Sequence, residues 1–241
     1  PLLLCGCAPL LLLYRDSQQV PDFYREVSVQ AFPETQQIEL RDELERRVLD
    51  LHNQTRHSGQ WQAEFTEDQL NAWLATQLPQ QFPQLMPTGT RDPRVKIAED
   101  RVQAGCRWQH ESLESVISVE AEVYLTETPN QLAIRLLAVR AGRIPLPLGQ
   151  LLDRISLAAR RGGLDLTWGQ EQGDPVALVQ IPTRHESYRL QELHVSGVEV
   201  QEGRVLVVGL TERVPEPNDD SPQLGLSRLL PQALKDVQST P

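Results

Sequence analysis

From Arg94 onward, apolar and polar residues take turns, and this alternation limits the possible folds more than any other feature of the chain. In Ile117-Ser-Val-Glu-Ala-Glu-Val-Tyr-Leu125 the positions Ile117, Val119, Ala121, Val123 and Leu125 are apolar, while Ser118, Glu120, Glu122 and Thr126 fall on the other parity. Successive side chains of a strand point to opposite faces, so the pattern predicts a strand with one apolar and one wet face. Val95 and Ile97 alternate in the same way, as do Val102, Ala104, Cys106 and Trp108, and then Leu132, Ile134 and Leu136. Glu99-Asp100 and Thr128-Pro-Asn130 supply turns between them. The reading is an antiparallel meander. The alternation resumes at Leu164, Leu166 and Trp168, turns at Gly173-Asp-Pro175, and continues through Val176, Leu178 and Ile181. Leu190, Leu193 and Val195 lead to a last hairpin, Val198 and Val200 into Glu202-Gly203 and Val205, Val207 and Leu210 out of it.

One segment breaks the period. In Arg143-Ile-Pro-Leu-Pro-Leu148 each proline fixes its own φ and pushes its predecessor out of the helical region, so the chain is held extended. Leu148, Leu151, Leu152, Ile155 and Ala159 then recur at helical spacing, and Gly162-Gly163 ends the run. An apolar helix with half-apolar strands before and after it predicts an α+β domain in which a curved antiparallel sheet wraps a central helix. Two helices should precede it. Ile38 to His57 carries the stripe Leu40, Leu44, Val48 and Leu51 against a charged face. In Phe65-Thr-Glu-Asp-Gln-Leu-Asn-Ala-Trp-Leu74, Thr66 fits an N-cap and Gln69 completes a capping box, with Phe65 and Leu70 placed for a hydrophobic staple. Leu70, Trp73, Leu74 and Leu78 form its apolar face, and Asn71 beside them is placed either to bond a neighbouring strand or to meet solvent.

The N-terminal run Pro1 to Tyr14 is uncharged and nearly all apolar, closed by Arg15-Asp16. It is shorter than the ~20 residues of a spanning helix and reads as the C-terminal part of a membrane anchor or uncleaved signal. Leu4-Cys-Gly-Cys7 also resembles a lipoprotein cleavage box with Cys7 as the lipidated residue, and a cleaved signal is the third reading. Residues 15–37 are polar and read as a spacer, 38–212 as one α+β domain, and 213–241 as an acidic, proline-rich, mobile tail with a short apolar segment from Leu224 to Leu234.

Chemistry is sparse. A net charge of −10 argues against nucleic acid, which needs a basic face. The five histidines are scattered, Cys5-Gly-Cys7 is too tight for zinc spacing, and Cys106 reads as a small buried side chain. Neither Gly-x-Ser-x-Gly nor a phosphate loop occurs. The expectation is a protein without catalysis, metal or cofactor. Its working part is then apolar surface, since a sheet curved around a helix leaves a dry, elongated space that suits acyl chains. The residues expected to line it are Leu148, Leu151, Leu152 and Ile155 on the helix, with Val119, Val123, Ile134 and Leu136 on the sheet.

The block Phe65–Leu74, the strand pair after it, Ile144-Pro-Leu-Pro-Leu-Gly-Gln-Leu-Leu152 and the closing strands resemble the YpmS-like family of membrane-anchored bacterial proteins in order and spacing, from about Phe65 to Leu210. The arrangement is also similar to small bacterial members of the TULIP superfamily, whose tubular sheets wrap a helix and bind lipids or other apolar molecules. The resemblance implies an extracytoplasmic protein of the cell envelope, anchored at its N-terminus and without catalysis; it transfers no binding residues. The longer acidic tail and Cys5 and Cys7 depart from the family pattern and leave the mode of anchoring open. The expected partners are the membrane and a lipid or other apolar ligand. The alternative is an envelope scaffold with a filled core that binds a protein partner.

Overall fold

The computed structural model describes residues 15–27, 32–86, 88–111, 113–161, 164–183 and 191–213. The run Pro1–Tyr14, Gly162-Gly163, Leu190 and the tail from residue 214 lie outside these, so the readings made on them stand as expectations. A short helix α1 (Asp22–Glu26) precedes a long one, α2 (Glu34–Gln54), which is followed by strand β1 (Gly59–Thr66), helix α3 (Glu67–Thr76) and helix α4 (Leu78–Gln81). A 3-10 turn, Pro83–Leu85, leads into the meander β2 (Thr90–Ala98), β3 (Arg101–His110), β4 (Leu113–Leu125) and β5 (Gln131–Ala141). After β6 (Ile144–Pro145) comes α5 (Leu148–Arg161), then the hairpins β7 (Leu166–Glu171)–β8 (Asp174–Gln180) and β9 (Gln191–Gln201)–β10 (Arg204–Arg213).

All described pairings are antiparallel. The large sheet runs β2-β3-β4-β5-β8-β7, with β6 also on β5, and the small one runs β1-β10-β9. Strand β1 was not expected from the sequence. Its alternation of Trp61, Ala63 and Phe65 is short, and Trp61 and Ala63 are buried.

Direct cross-strand partners share a face, so the register sorts the large sheet into two sides. Ala104 lies opposite Val119 and Val119 opposite Val139; Ala121 opposite Leu136; Val123 opposite Ile134; Ile134 opposite Ala177; and Ala177 opposite Trp168. A register shift between Glu120 and Ala121 accommodates one extra β5 residue, which keeps Val139 and Leu136 on one side although they are three apart. The opposite side carries Arg94, Gln103, Gly105, Arg107, Ser118, Glu120 and Arg140.

The polar side is covered by residues 15–27, the first part of the span that reads as a spacer from the sequence. Tyr24 is fully buried there. Its ring lies 4.3 Å beneath the Arg94 guanidinium, its hydroxyl donates to the Asp92 carbonyl, and Arg94 Nη1 donates to the Tyr24 carbonyl at 2.5 Å. A Cβ on Gly105 would sit 3.1 Å from both Phe23 and Tyr24, so a residue without a side chain makes room for two aromatic rings. Gly142, at φ +58°, lets Arg143 N–H reach the Asp16 carbonyl at 3.0 Å, and Ser115 Oγ donates to the Ser17 carbonyl at 2.6 Å. A polar face pulled an amphipathic segment down because its arginines could pair with carboxylates and carbonyls while the rings covered apolar stems.

On the apolar side, Val95, Ile97 and Val200 form a buried cluster with Leu70, Leu74, Val102, Val123 and Val205 against it. Helix α3 thus meets the sheet at β2, and β9 lies across β2, β3 and β4. The capping box at Thr66 is present: Thr66 Oγ1 accepts from Gln69 N–H at 3.4 Å and Gln69 Oε1 from Thr66 N–H at 3.2 Å. The fully buried side chains of α3 are Gln69, Asn71 and Ala72 rather than the leucines, which are half-buried. Helix α2 keeps Leu44 buried, but Val48 in its expected stripe is half-exposed.

Candidate apolar binding face

Helix α5 and the apolar side of the large sheet carry the eight residues expected to line a binding space. Trp168 of β7 fixes their relation. It faces the same side as Ala177, Ile134 and Val123, and its indole Nε1 donates to Ser156 Oγ of α5 at 2.7 Å. Ser156 in turn donates to the Leu152 carbonyl at 2.7 Å. The helix therefore lies on the apolar side. It touches β7 at one end of the sheet and the 3-10 turn Pro83–Leu85, which leads into β2. Sequence reasoning placed Trp168 in an alternating strand and among the four tryptophans of a core or pocket, but assigned neither it nor Ser156 to the site.

Val119, Val123, Ile134 and Leu136 share this face, as the alternation predicted. Leu136 is buried at 4% exposure, and the other three are half-buried. On the helix, Leu148, Leu152 and Ile155 are half-buried; the side chain of Leu151 lies outside the described residues. Ala159 is buried and Leu157 is 43% exposed. The helix covers the sheet without sealing it.

Two covers thus sit on the apolar side: α3 on β2 with β9 across β2, β3 and β4, and α5 from β7 to the turn that leads into β2. The same side carries the strip Ala104, Cys106, Trp108, Ile117 and Val119. Ala104 is exposed, although it lies directly opposite both buried Val95 and half-buried Val119. Cys106, Trp108, Ile117 and Val119 are half-buried. Burial pushes the Cys106 thiol up to about 11, so it stays protonated at neutral pH and acts as a small hydrophobe. Trp108 stacks on His110 with ring centroids 5.7 Å apart.

Ionisable groups lie elsewhere. Arg107 and Arg91 both donate to Glu114, at 3.1 and 3.0 Å, and hold its carboxyl below the usual range. Burial raises the Tyr24 hydroxyl well above its ordinary value, with Asp92 adding to the effect. On β5, Arg135 pairs with Glu122 at 2.6 Å. These contacts tie strands and the N-terminal segment together. Among the described residues, no three His, Cys, Asp or Glu side chains are placed to hold a metal ion, and no helix is long and apolar enough to cross a membrane.

Three open clefts mark the surface of the described residues. One of about 370 Å³ lies between the N-terminal segment and the polar face, one of about 450 Å³ beside α2 and β1, and one of about 470 Å³ among Arg91, Arg94, Arg107 and Pro79. Val119 contributes to the first; Leu148, Leu152, Ile155, Val123, Ile134 and Leu136 line none of the three. No protein family, curated protein or solved structure matches the chain.

Proposed function

We propose that this chain is a TULIP-like, non-catalytic module of the bacterial cell envelope that holds a lipid or another apolar ligand, with Pro1–Tyr14 as its membrane anchor and the globular part outside the cytoplasm. The observation that carries the reading is the uncovered apolar strip. A filled core would bury Ala104, Val119, Leu152 and Ile155, yet Ala104 is exposed and the other three are half-buried. Apolar surface left accessible on this side of the sheet is a surface on which an acyl chain gains free energy, at about 25 cal/mol per Å² removed from water.

Ala104→Glu tests this without attacking the core. The position is exposed, so a carboxylate there stays hydrated in the free protein and would be buried only beneath a ligand. Native mass spectrometry of the full chain purified in mild detergent should show a bound acyl lipid in the wild type and its loss in Ala104→Glu, with the melting temperature preserved. A wild type that carries no lipid, or equal occupancy in the variant, would remove the reading. A second reading, a scaffold for a protein partner, draws on Leu157 and Leu164, which stay 43% and 55% exposed near the end of α5. Under that reading Leu157→Glu abolishes capture of a defined envelope protein and Ala104→Glu leaves it intact.

A further inference from the structure

The cleft on the polar face differs in character from the strip behind it. Its walls combine apolar and cationic groups: Pro21 and Phe23 from the N-terminal segment, Val119 and Ala138 from the sheet, and Arg140 and Arg143 at the rim. Both arginines are exposed, and neither side chain makes an ion pair or hydrogen bond among the described residues. The carboxylate that faces the cleft, Glu120, is held by Arg101 at 2.7 Å. Gln103 and Ser118 add polar groups to the floor. In a chain of net charge −10, two unpaired guanidiniums beside an aromatic ring run against the background charge. Their planar forks suit a phosphate.

We propose that this cleft binds the anionic phosphate headgroup of a membrane phospholipid. A phosphate matches the two arginines, and Phe23, Pro21 and Ala138 offer apolar contact to the glycerol and the first methylenes. The volume, about 370 Å³, suits a headgroup rather than whole acyl chains. The lipid source follows from the wall of the cleft. The segment that carries Pro21 and Phe23 starts at Arg15, directly after the uncharged run Pro1–Tyr14. The choice of a lipid over a free phosphate therefore rests on the reading of that run as an anchor; the site shares only Val119 with the apolar strip, whose side chains face the other side of the sheet.

The test is calorimetric titration of the full chain in non-ionic detergent with dihexanoyl phosphatidylglycerol, dihexanoyl phosphatidylcholine and glycerol phosphate. The phosphatidylglycerol analogue should bind roughly tenfold tighter than the other two, and Arg140→Ala with Arg143→Ala should erase that advantage at unchanged melting temperature. Arg160→Ala with Arg161→Ala, at the end of α5, and Ala104→Glu, on the other face, should both preserve it. Equal affinity for the two lipid analogues, or selectivity that survives in the Arg140/Arg143 variant, would overturn the site. Glycerol phosphate binding as tightly as the lipid analogue would overturn the lipid source. A wild type that selects the phosphatidylglycerol analogue yet carries no acyl lipid on the strip would separate this proposal from the one above.

Discussion

Asn71 stands in for a missing strand. Strand β2 is the outer strand of the large sheet, so one side of its backbone has no strand partner. The Asn71 amide closes the gap: Nδ2 donates to the Val95 carbonyl at 2.7 Å and Oδ1 accepts from Val95 N–H at 2.8 Å. Glu67, one helical turn earlier, accepts from Ile97 N–H at 2.6 Å. Asn71→Leu should leave two buried backbone groups unsatisfied and cost about 2–4 kcal/mol in a urea titration; a change under about 0.5 kcal/mol on that same scale would show the edge to be hydrated instead. Glu67 gives a pH signature. Burial raises its pKa above the ordinary 4.5, although Ile97 N–H and Lys96 oppose the shift. The folded state then binds the proton more tightly than the unfolded chain, so this group's contribution favours folding below pH 4.5 and is lost as pH rises through the folded value. Glu67→Gln should therefore remove a stability slope that falls as pH rises above 4.5, measured as melting temperature against pH. A wild type and variant with parallel curves would refute it. Glu114 slopes the other way: its lowered pKa gives stability that is lost as pH falls below the ordinary carboxylate value.

Elements with a strong periodic signal were legible in the sequence, and those set by tertiary pairing were not. The capping box at Thr66, the meander and the β9–β10 hairpin follow from local chemistry, because a cap or an alternation is written in adjacent residues. Strand β1 was missed because its partner β10 lies at the far end of the chain, and nothing local in Gly59–Thr66 announces that pairing. The N-terminal segment was missed for a similar reason. Its residues are polar between Pro21, Phe23 and Tyr24, and only the guanidinium of Arg94 and the bare backbone of Gly105 create a place for the rings. That origin makes the segment testable as an element. Tyr24→Ala should cost about 3–5 kcal/mol, as loss of a fully buried aromatic ring does. Gly105→Ala should loosen the same segment, with faster hydrogen exchange at Val27 N–H and Arg143 N–H and little change in β9–β10. Exchange rates that rise throughout the sheet instead would mean that the segment is part of the global core.

At the scale of the molecule, the two sheets are held together at both ends of β9, and one of these joints is built around a single side chain. Near Gln201, the tips of two hairpins lock: Asp100 N–H donates to the Val200 carbonyl at 3.0 Å and Gly203 N–H to the Ile97 carbonyl at 2.9 Å, over the buried Val95–Ile97–Val200 cluster. At the other end stands Asn130, in the β4–β5 turn. It is 2% exposed and sits at φ +58°, a region that asparagine tolerates better than most residues. Its Nδ2 donates to the Leu193 carbonyl at 2.6 Å, its Oδ1 accepts from Val195 N–H at 2.8 Å, and its own carbonyl accepts from Ile181 N–H at 2.8 Å. The sequence announced Asn130 as a turn residue, and its φ bears that out; the joint was invisible because β9 lies more than sixty residues downstream. The hairpin-tip joint has a hydrophobic cluster behind it, whereas the Asn130 joint rests on hydrogen bonds, the two of Asn130 and that of Leu193 N–H to the Thr183 carbonyl at 2.8 Å. Asn130→Ala should thus open β9 from Leu193 to Val195 while Val200 stays packed. The expected result is a loss of about 2–4 kcal/mol in urea, together with selective loss of protection at Val195 N–H in native-state hydrogen exchange. Because the small sheet packs on the same side as the apolar strip, the same change should lower lipid occupancy without touching a residue of the strip. Full protection at Val195 in Asn130→Ala would show that the sheets are joined by side-chain packing along all of β9.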